Sequence, residues 1–291
     1  MTVLNKLRGS KAPNLPISPV EYSQRYHDQF SNVLRLYFNE IDNLLAALYS
    51  DSAGGRYIKF PYGAFNQDGT TTLSVGINNN STAPIQVAST TGFSAPGFFS
   101  IEQEIIQYTG ISGNTFTGIT RGAKSTTNVA HLAGAAVAEV AGVTVGNEAA
   151  IVLDAVDYEN GIHVGGVTAS VLPASRIYFE YDGIYNLQFS FQFLNYSNAD
   201  DNVTVWLKKN GTNVPLTASV EQVNAKHGGF PGAAIMALNL FLDVLAGQYV
   251  ELYWTSGSGL SVLGTYPAGV APVHPVSPSA IVTVSFVSAL P

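Results

Sequence analysis

Between Tyr185 and Phe193 apolar residues take every second position. Tyr185, Leu187, Phe189, Phe191 and Phe193 alternate with Asn186, Gln188, Ser190 and Gln192. A strand sends successive side chains to opposite faces, so this stretch predicts a strand with one fully apolar face. Its polar face is amide and hydroxyl rather than charged. Val203, Val205 and Leu207 repeat the pattern before a Lys209-Asn210-Gly211 hairpin turn. Tyr249 to Trp254 and Ile281 to Val287 predict further strands. Several strands over residues 142–291 predict a β-sandwich or jelly-roll head.

The only helical spacing lies near the start. Phe30, Leu34, Tyr37, Ile41, Leu44 and Leu48 are separated by steps of 4, 3, 4, 3 and 4, the a/d pattern of a coiled coil. Ser18, Pro19 and Glu21 predict its N-terminus as a capping box, and Ser50 to Gly55 its end. Val33, Leu36, Phe38 and Leu45 widen the apolar stripe, so the helix is expected to be covered, by its own chain, by copies of itself or by a partner. Residues 1–55 are read as an extended arm followed by this anchoring helix.

From residue 56 to 141, short β-like runs alternate with turn signals such as Asn66-Gln67-Asp68-Gly69 and Ser112-Gly113-Asn114. Thr71 to Ile77, Ile85 to Ala88, Phe98 to Ile101, Glu104 to Thr109 and Ala136 to Val140 predict a small β-domain. The expected architecture is therefore mainly β, with a short N-terminal helix, a small β-domain and a C-terminal jelly-roll β-sandwich.

Composition narrows the partners. Apolar residues make up 46% of the chain and charged residues 11%, less than half of the ordinary share of about 25%. A folded surface so poor in charge suits a protein held in an assembly. The net charge of −7 argues against nucleic acid, which calls for clustered Lys and Arg. No cysteine is present, so disulfides and thiolate metal sites are excluded. No apolar run reaches a membrane span, and the first residues lack a signal-peptide core, which predicts synthesis in a cytoplasm without membrane insertion.

Two stretches resemble known families. Residues 85–93, then Ile101 to Gly110 with Tyr108-Thr109-Gly110, Thr120-Arg121-Gly122 and Ala130-His131, resemble small β-modules of phage tail and baseplate proteins. Asp182 to Ser190, Val205 to Gly211 and Ala246 to Leu252 resemble strands of tumour-necrosis-factor-like and complement-type jelly-roll heads, with Gln248 in place of the usual Asp. Lys226 to Gly229 and Tyr266 to Gly269 are similar to segments of the versions of this head carried by virus particles. The resemblance implies a homotrimer and a virion location.

Candidate chemistry is sparse. His27, His131, His163, His227 and His274 lack metal-ligand spacing, and neither a nucleophile elbow nor a phosphate loop is present. No cofactor and no catalytic residue is expected. Asp200 and Asp201, in the oxygen-rich stretch Asn198 to Asn202, are a weak calcium candidate beside their reading as an ordinary polar turn. Glu102 and Glu104, two residues apart, are expected on a solvated strand face. Asn224 to Pro231 and Tyr266 to Pro278, with His227, Phe230, Tyr266 and His274, are the candidate contact loops.

Together these readings point to a non-enzymatic virion protein: a trimeric phage tail fibre or tail-associated receptor-binding protein. Its expected partners are itself, other virion proteins through residues 1–55, and a host surface receptor or glycan. A head fibre, decoration or adaptor protein is the alternative, and a virion-borne polysaccharide-degrading enzyme a third, disfavoured by the scarcity of Asp and Glu.

Overall fold

The computed structural model describes residues 13–49, 60–165, 174–270 and 273–290. The chain divides into two compact units, residues 1–60 and Pro61–Pro291. It is mainly β, with one helix among the described residues.

In the first unit, helix α1 spans Gln24–Tyr49. It starts later than the capping-box reading placed it. Ser23 caps it instead, its Oγ accepting from the Tyr26 N–H at 3.4 Å. Val20 and Tyr22 stand fully or largely in solvent. An earlier turn would therefore order them without burying either, and the helix begins only where its apolar stripe does. Tyr26, Phe30, Leu34, Tyr37, Ile41 and Leu44 form a half-exposed line along the helix, and no residue from Gln24 to Leu45 is buried. The side chain of Leu48 lies outside the described residues.

The second unit opens with β1 (Tyr62–Gln67), β2 (Thr70–Thr72) and β3 (Ile85–Gln86). Next come β4 (Gly97–Ile101), β5 (Glu104–Tyr108), β6 (Gly110–Ser112), β7 (Thr115–Thr117), β8 (Thr120–Ala123) and β9 (Ala136–Gly142). Strands β2 to β9 build a small module around Leu73, Ile85, Val87, Ile101 and Ile106. Its centre is aromatic, with the Phe116 ring 4.7 Å from Phe99 and 4.5 Å from Tyr108.

The chain continues through β10 (Ala149–Ala150), β11 (Ala155–Asn160), β12 (Ile162–Val164), β13 (Ile177–Phe179) and β14 (Gly183–Asn195). It then forms β15 (Asp201–Lys209), β16 (Thr212–Asn213), β17 (Ser219–Val223) and β18 (Gly232–Val244). The last strands are β19 (Tyr249–Ser256), β20 (Ser261–Gly264), β21 (Gly269–Val270), β22 (Val273–His274) and β23 (Ala280–Ser288).

These build the sandwich. One sheet runs β18-β14-β23-β1-β11, and the facing sheet runs β12-β13-β19-β15 with β17 beside β15. The chain crosses between the sheets from β14 to β15, from β17 to β18, from β18 to β19 and again from β19 to β23, a connectivity of the jelly-roll kind. The alternation read in β14 is realised: Tyr185, Leu187, Phe191 and Phe193 are wholly buried and Phe189 nearly so. They meet Val205, Leu207, Leu252 and Trp254 of the facing sheet.

The module and the sandwich share one sheet, so residue 141 is not a structural break. β9 pairs with β2 and β4 at one end and with β20 at the other. Tyr62–Gln67, expected in the small domain, lies instead in the sandwich, where Gln67 pairs with Ala280. That pairing spans most of the chain and leaves no local trace in the sequence. A separate apolar cluster of Ile105, Val140, Leu194, Tyr196 and Val262 fills the seam.

Candidate functional site

Among its described residues the second unit carries two surfaces with candidate contact residues and several interior polar clusters. One surface is the outward side of β18, β14 and β23. Since the core takes the odd residues of β14, its even residues point away from the core, and pairing sets them in rows with their neighbours. Gln188 lies between Asn239 and Thr283, and Ser190 between Ala237 and Ile281. A shallow depression of about 510 Å³ runs over these rows. Ile235, Phe241, Ile281 and Val287 stand exposed around it, and the only charge on the outward positions of β18 and β23 is Asp243, paired to Lys209 at 3.3 Å. β18 bonds to β14 along all thirteen of its residues and, among the described residues, to no strand on its other side. A long edge strand with apolar outward residues is a template for association.

The candidate contact loops lie toward the Asn195 end of β14. His227 and Phe230 close a turn through reciprocal backbone bonds of 2.9 and 3.0 Å, with Gly228 and Gly229 at positive φ, and both side chains are exposed. This loop borders a groove of about 370 Å³, lined by Glu102, Gln103, Thr126, Tyr196, Lys226 and Gly229. Tyr266 bonds to Ser277 through the backbone and is 37% exposed. Its ring is close enough to Tyr196 to help raise that phenol, which burial raises first. His274 sits on the short β21–β22 hairpin, its Nδ1 2.8 Å from the Pro275 carbonyl. The structure therefore links Tyr266 to the groove through Tyr196 but gives His227 and His274 no common ligand geometry.

The motif residues of the module converge on a buried carboxylate. Glu104 has no solvent exposure; its Oε1 accepts from Arg121 Nε at 2.6 Å and its Oε2 from Arg121 Nη2 at 2.7 Å. The Gly122 and Val129 N–H groups and His131 Nε2 complete its shell at 3.1, 3.1 and 2.9 Å. Burial alone would raise Glu104, but these donors outweigh it and hold the carboxyl below its usual range. The solvated-face reading of Glu102 and Glu104 is thus corrected. Glu102 sits in the β4–β5 turn at φ 54°, off the strand, so the two acids share no face.

The calcium reading of Asp200 and Asp201 is also not supported by the geometry. Asp201 Oδ2 takes Ser256 Oγ at 2.6 Å and Ser261 Oγ at 2.5 Å, while Oδ1 takes the Ser258 N–H at 2.8 Å. Asp200 is engaged by the Ala225 N–H and the Gln222 amide at 2.8 and 3.2 Å. Both carboxylates close turns, and among the described residues no cluster of three or more acids and histidines has metal-holding geometry.

Sequence reading missed a third cluster, Glu139 with Asp154. Acidic residues in β-rich stretches read as solvent-facing, and no local pattern marks these two as buried partners. No family model matches this chain, and no curated protein matches it. Among the described residues no helix is long and apolar enough to cross a membrane.

Proposed function

We propose that this chain is a non-enzymatic structural protein of a phage particle: a homotrimeric tail fibre or tail-associated host-attachment protein. The observation that carries the reading is the outward face of β18, β14 and β23, which is broad, nearly uncharged and ends in a thirteen-residue edge that no strand among the described residues pairs. Such a face favours a second and third copy of the same head over a charged ligand, and symmetric self-association repeats one patch on every subunit. The resemblance of Asp182 to Ser190 and Ala246 to Leu252 to jelly-roll heads supports the same state. The loops around the groove then meet the host surface, and threefold repetition raises avidity from weak contacts.

A specific feature favours the adaptor or head-decoration reading as the second choice. Helix α1 is about 39 Å long at 1.5 Å per residue, enough to dock into another virion protein and too short for a fibre shaft. Antibodies against residues 142–291, applied to purified particles and viewed by electron microscopy, separate the two. Label at the tail supports attachment and label on the capsid supports decoration. Particles free of the chain by mass spectrometry overturn both.

A further inference from the structure

Glu139 lies where β9 passes from the module into the sandwich. Its N–H donates to Gly69 O at 2.7 Å, and its C=O accepts from the Thr265 N–H at 3.2 Å. Its side chain is 7% exposed and meets the carboxyl of Asp154, on the link between β10 and β11. Glu139 Oε2 and both Asp154 oxygens are closed off from solvent, and none receives an N–H or hydroxyl in hydrogen-bond geometry. The Asp68 and Asp154 backbone N–H groups lie near enough to temper the Asp154 carboxyl without reaching that geometry. The Gln67 amide reaches Glu139 from β1. The other titratable groups acting on the pair are Asp68, from the β1–β2 turn, and Tyr108, from β5. None of these groups is a cation.

Two ionised carboxylates in contact at such a dry place have neither solvent nor a counter-charge. One proton placed between them removes the repulsion and supplies the missing donor. We propose that Glu139 and Asp154 are a proton-held latch across the seam between module and sandwich, closed while they share one proton and loosened when both ionise. The pair joins β9 to the segment leading into β11, so its opening weakens the grip of residues 70–141 on the sandwich sheet beside the β9–β20 pairing. Burial first, then the Asp154 charge, pushes Glu139 up to about 9, and burial raises Asp154 as well. A carboxyl raised on folding stabilises fully below its ordinary value, and the contribution is lost as pH climbs through the folded value. The seam is therefore tightest in mild acid and loosest in alkali, whatever particle the chain belongs to.

Amide hydrogen exchange on the full chain tests this. Peptides covering residues 67–70, 136–142 and 262–266 are followed from about pH 6 to about pH 9, corrected for the intrinsic rate and compared with β15 as an internal control. Protection of the seam in the wild-type chain is expected to fall about tenfold relative to the control. Glu139→Gln and, separately, Asp154→Asn are expected to flatten that dependence. The same fall in the wild type and in both variants overturns the latch. Full restoration of wild-type protection at about pH 9 by excess calcium also overturns it, because the site then holds a cation instead of a proton.

Discussion

Arg121 clamps Glu104 with two parallel bonds, Nε to Oε1 at 2.6 Å and Nη2 to Oε2 at 2.7 Å, and neither side chain reaches solvent to more than a few per cent. The same guanidinium spans to the Asn78 and Val129 carbonyls at 2.7 and 2.5 Å. One arginine thus ties β5 and β8 to the loops at residues 78 and 129. Removing one partner leaves a buried charge alone, which costs about 3–5 kcal/mol. Arg121→Met and Glu104→Gln are each expected to destabilise the second unit by that amount in urea titration. The double variant is expected to lose less than the sum of the two.

The ionisable interior carries two opposite pH dependences. Glu104 and Asp201 are buried, yet donors outweigh the burial and hold both below their usual range. A lowered carboxyl stabilises above its unfolded value, about 4, and the contribution fades as pH falls through the folded value. Glu139 has the reverse sign and stabilises toward acid. Thermal melts are therefore expected to decline below about pH 4 and again toward about pH 9. Asp201→Asn should blunt the acid decline, at a cost in stability at neutral pH, and Glu139→Gln the alkaline one.

Gly232 begins β18 directly after the contact loop. A Cβ placed there would fall 1.8 Å from the Asn224 carbonyl oxygen and 3.0 Å from that of Ala225. Both obstacles are backbone, so the loop must shift. Gly232→Ala is expected to destabilise the head by about 2 kcal/mol and to displace His227 and Phe230. Amide chemical shifts or a crystal structure of the variant would report the movement; unchanged loop shifts would show that the close approach does not constrain the loop.

The outward face of β18 separates folding from association. Ile235 and Phe241 are 64% and 63% exposed, so Ile235→Lys or Phe241→Lys removes little interior contact. Each is expected to change stability by less than about 0.5 kcal/mol in a dissociated state. Each is also expected to shift the assembly toward monomer in analytical ultracentrifugation, because an unpaired charge would be placed in a desolvated patch.

How much of this was legible in the sequence follows from where each strand sits. β14 was readable because one face is interior and the other holds Asn, Gln and Ser, so burial wrote a period of two. β18 was not, although it pairs with β14 along its whole length. Of its outward positions only Asn239 and Asp243 are polar; Ala233, Ile235, Ala237 and Phe241 are apolar like the inward Met236, Leu238 and Leu240, which blurs the alternation. Helix α1 announced itself by its stripe, while its start did not, because Ser23 competes with Ser18 as a cap. The buried acids were hidden for another reason. Glu104 depends on Arg121, and Glu139 on Asp154, through contacts between separate strands and links that local spacing does not encode. The module motif did contain Glu104, Arg121 and His131, whose shared role emerged only from the fold.

The most direct test of the central proposal is the mass of the purified chain in solution, by light scattering, for the full protein and for a version lacking residues 1–55. The monomer is 30.8 kDa. Three times the monomer mass is expected for both, with association residing in the head and α1 left free to dock on another protein. A monomer in both preparations would contradict it, and the outward face of β18, β14 and β23 would then need a different partner.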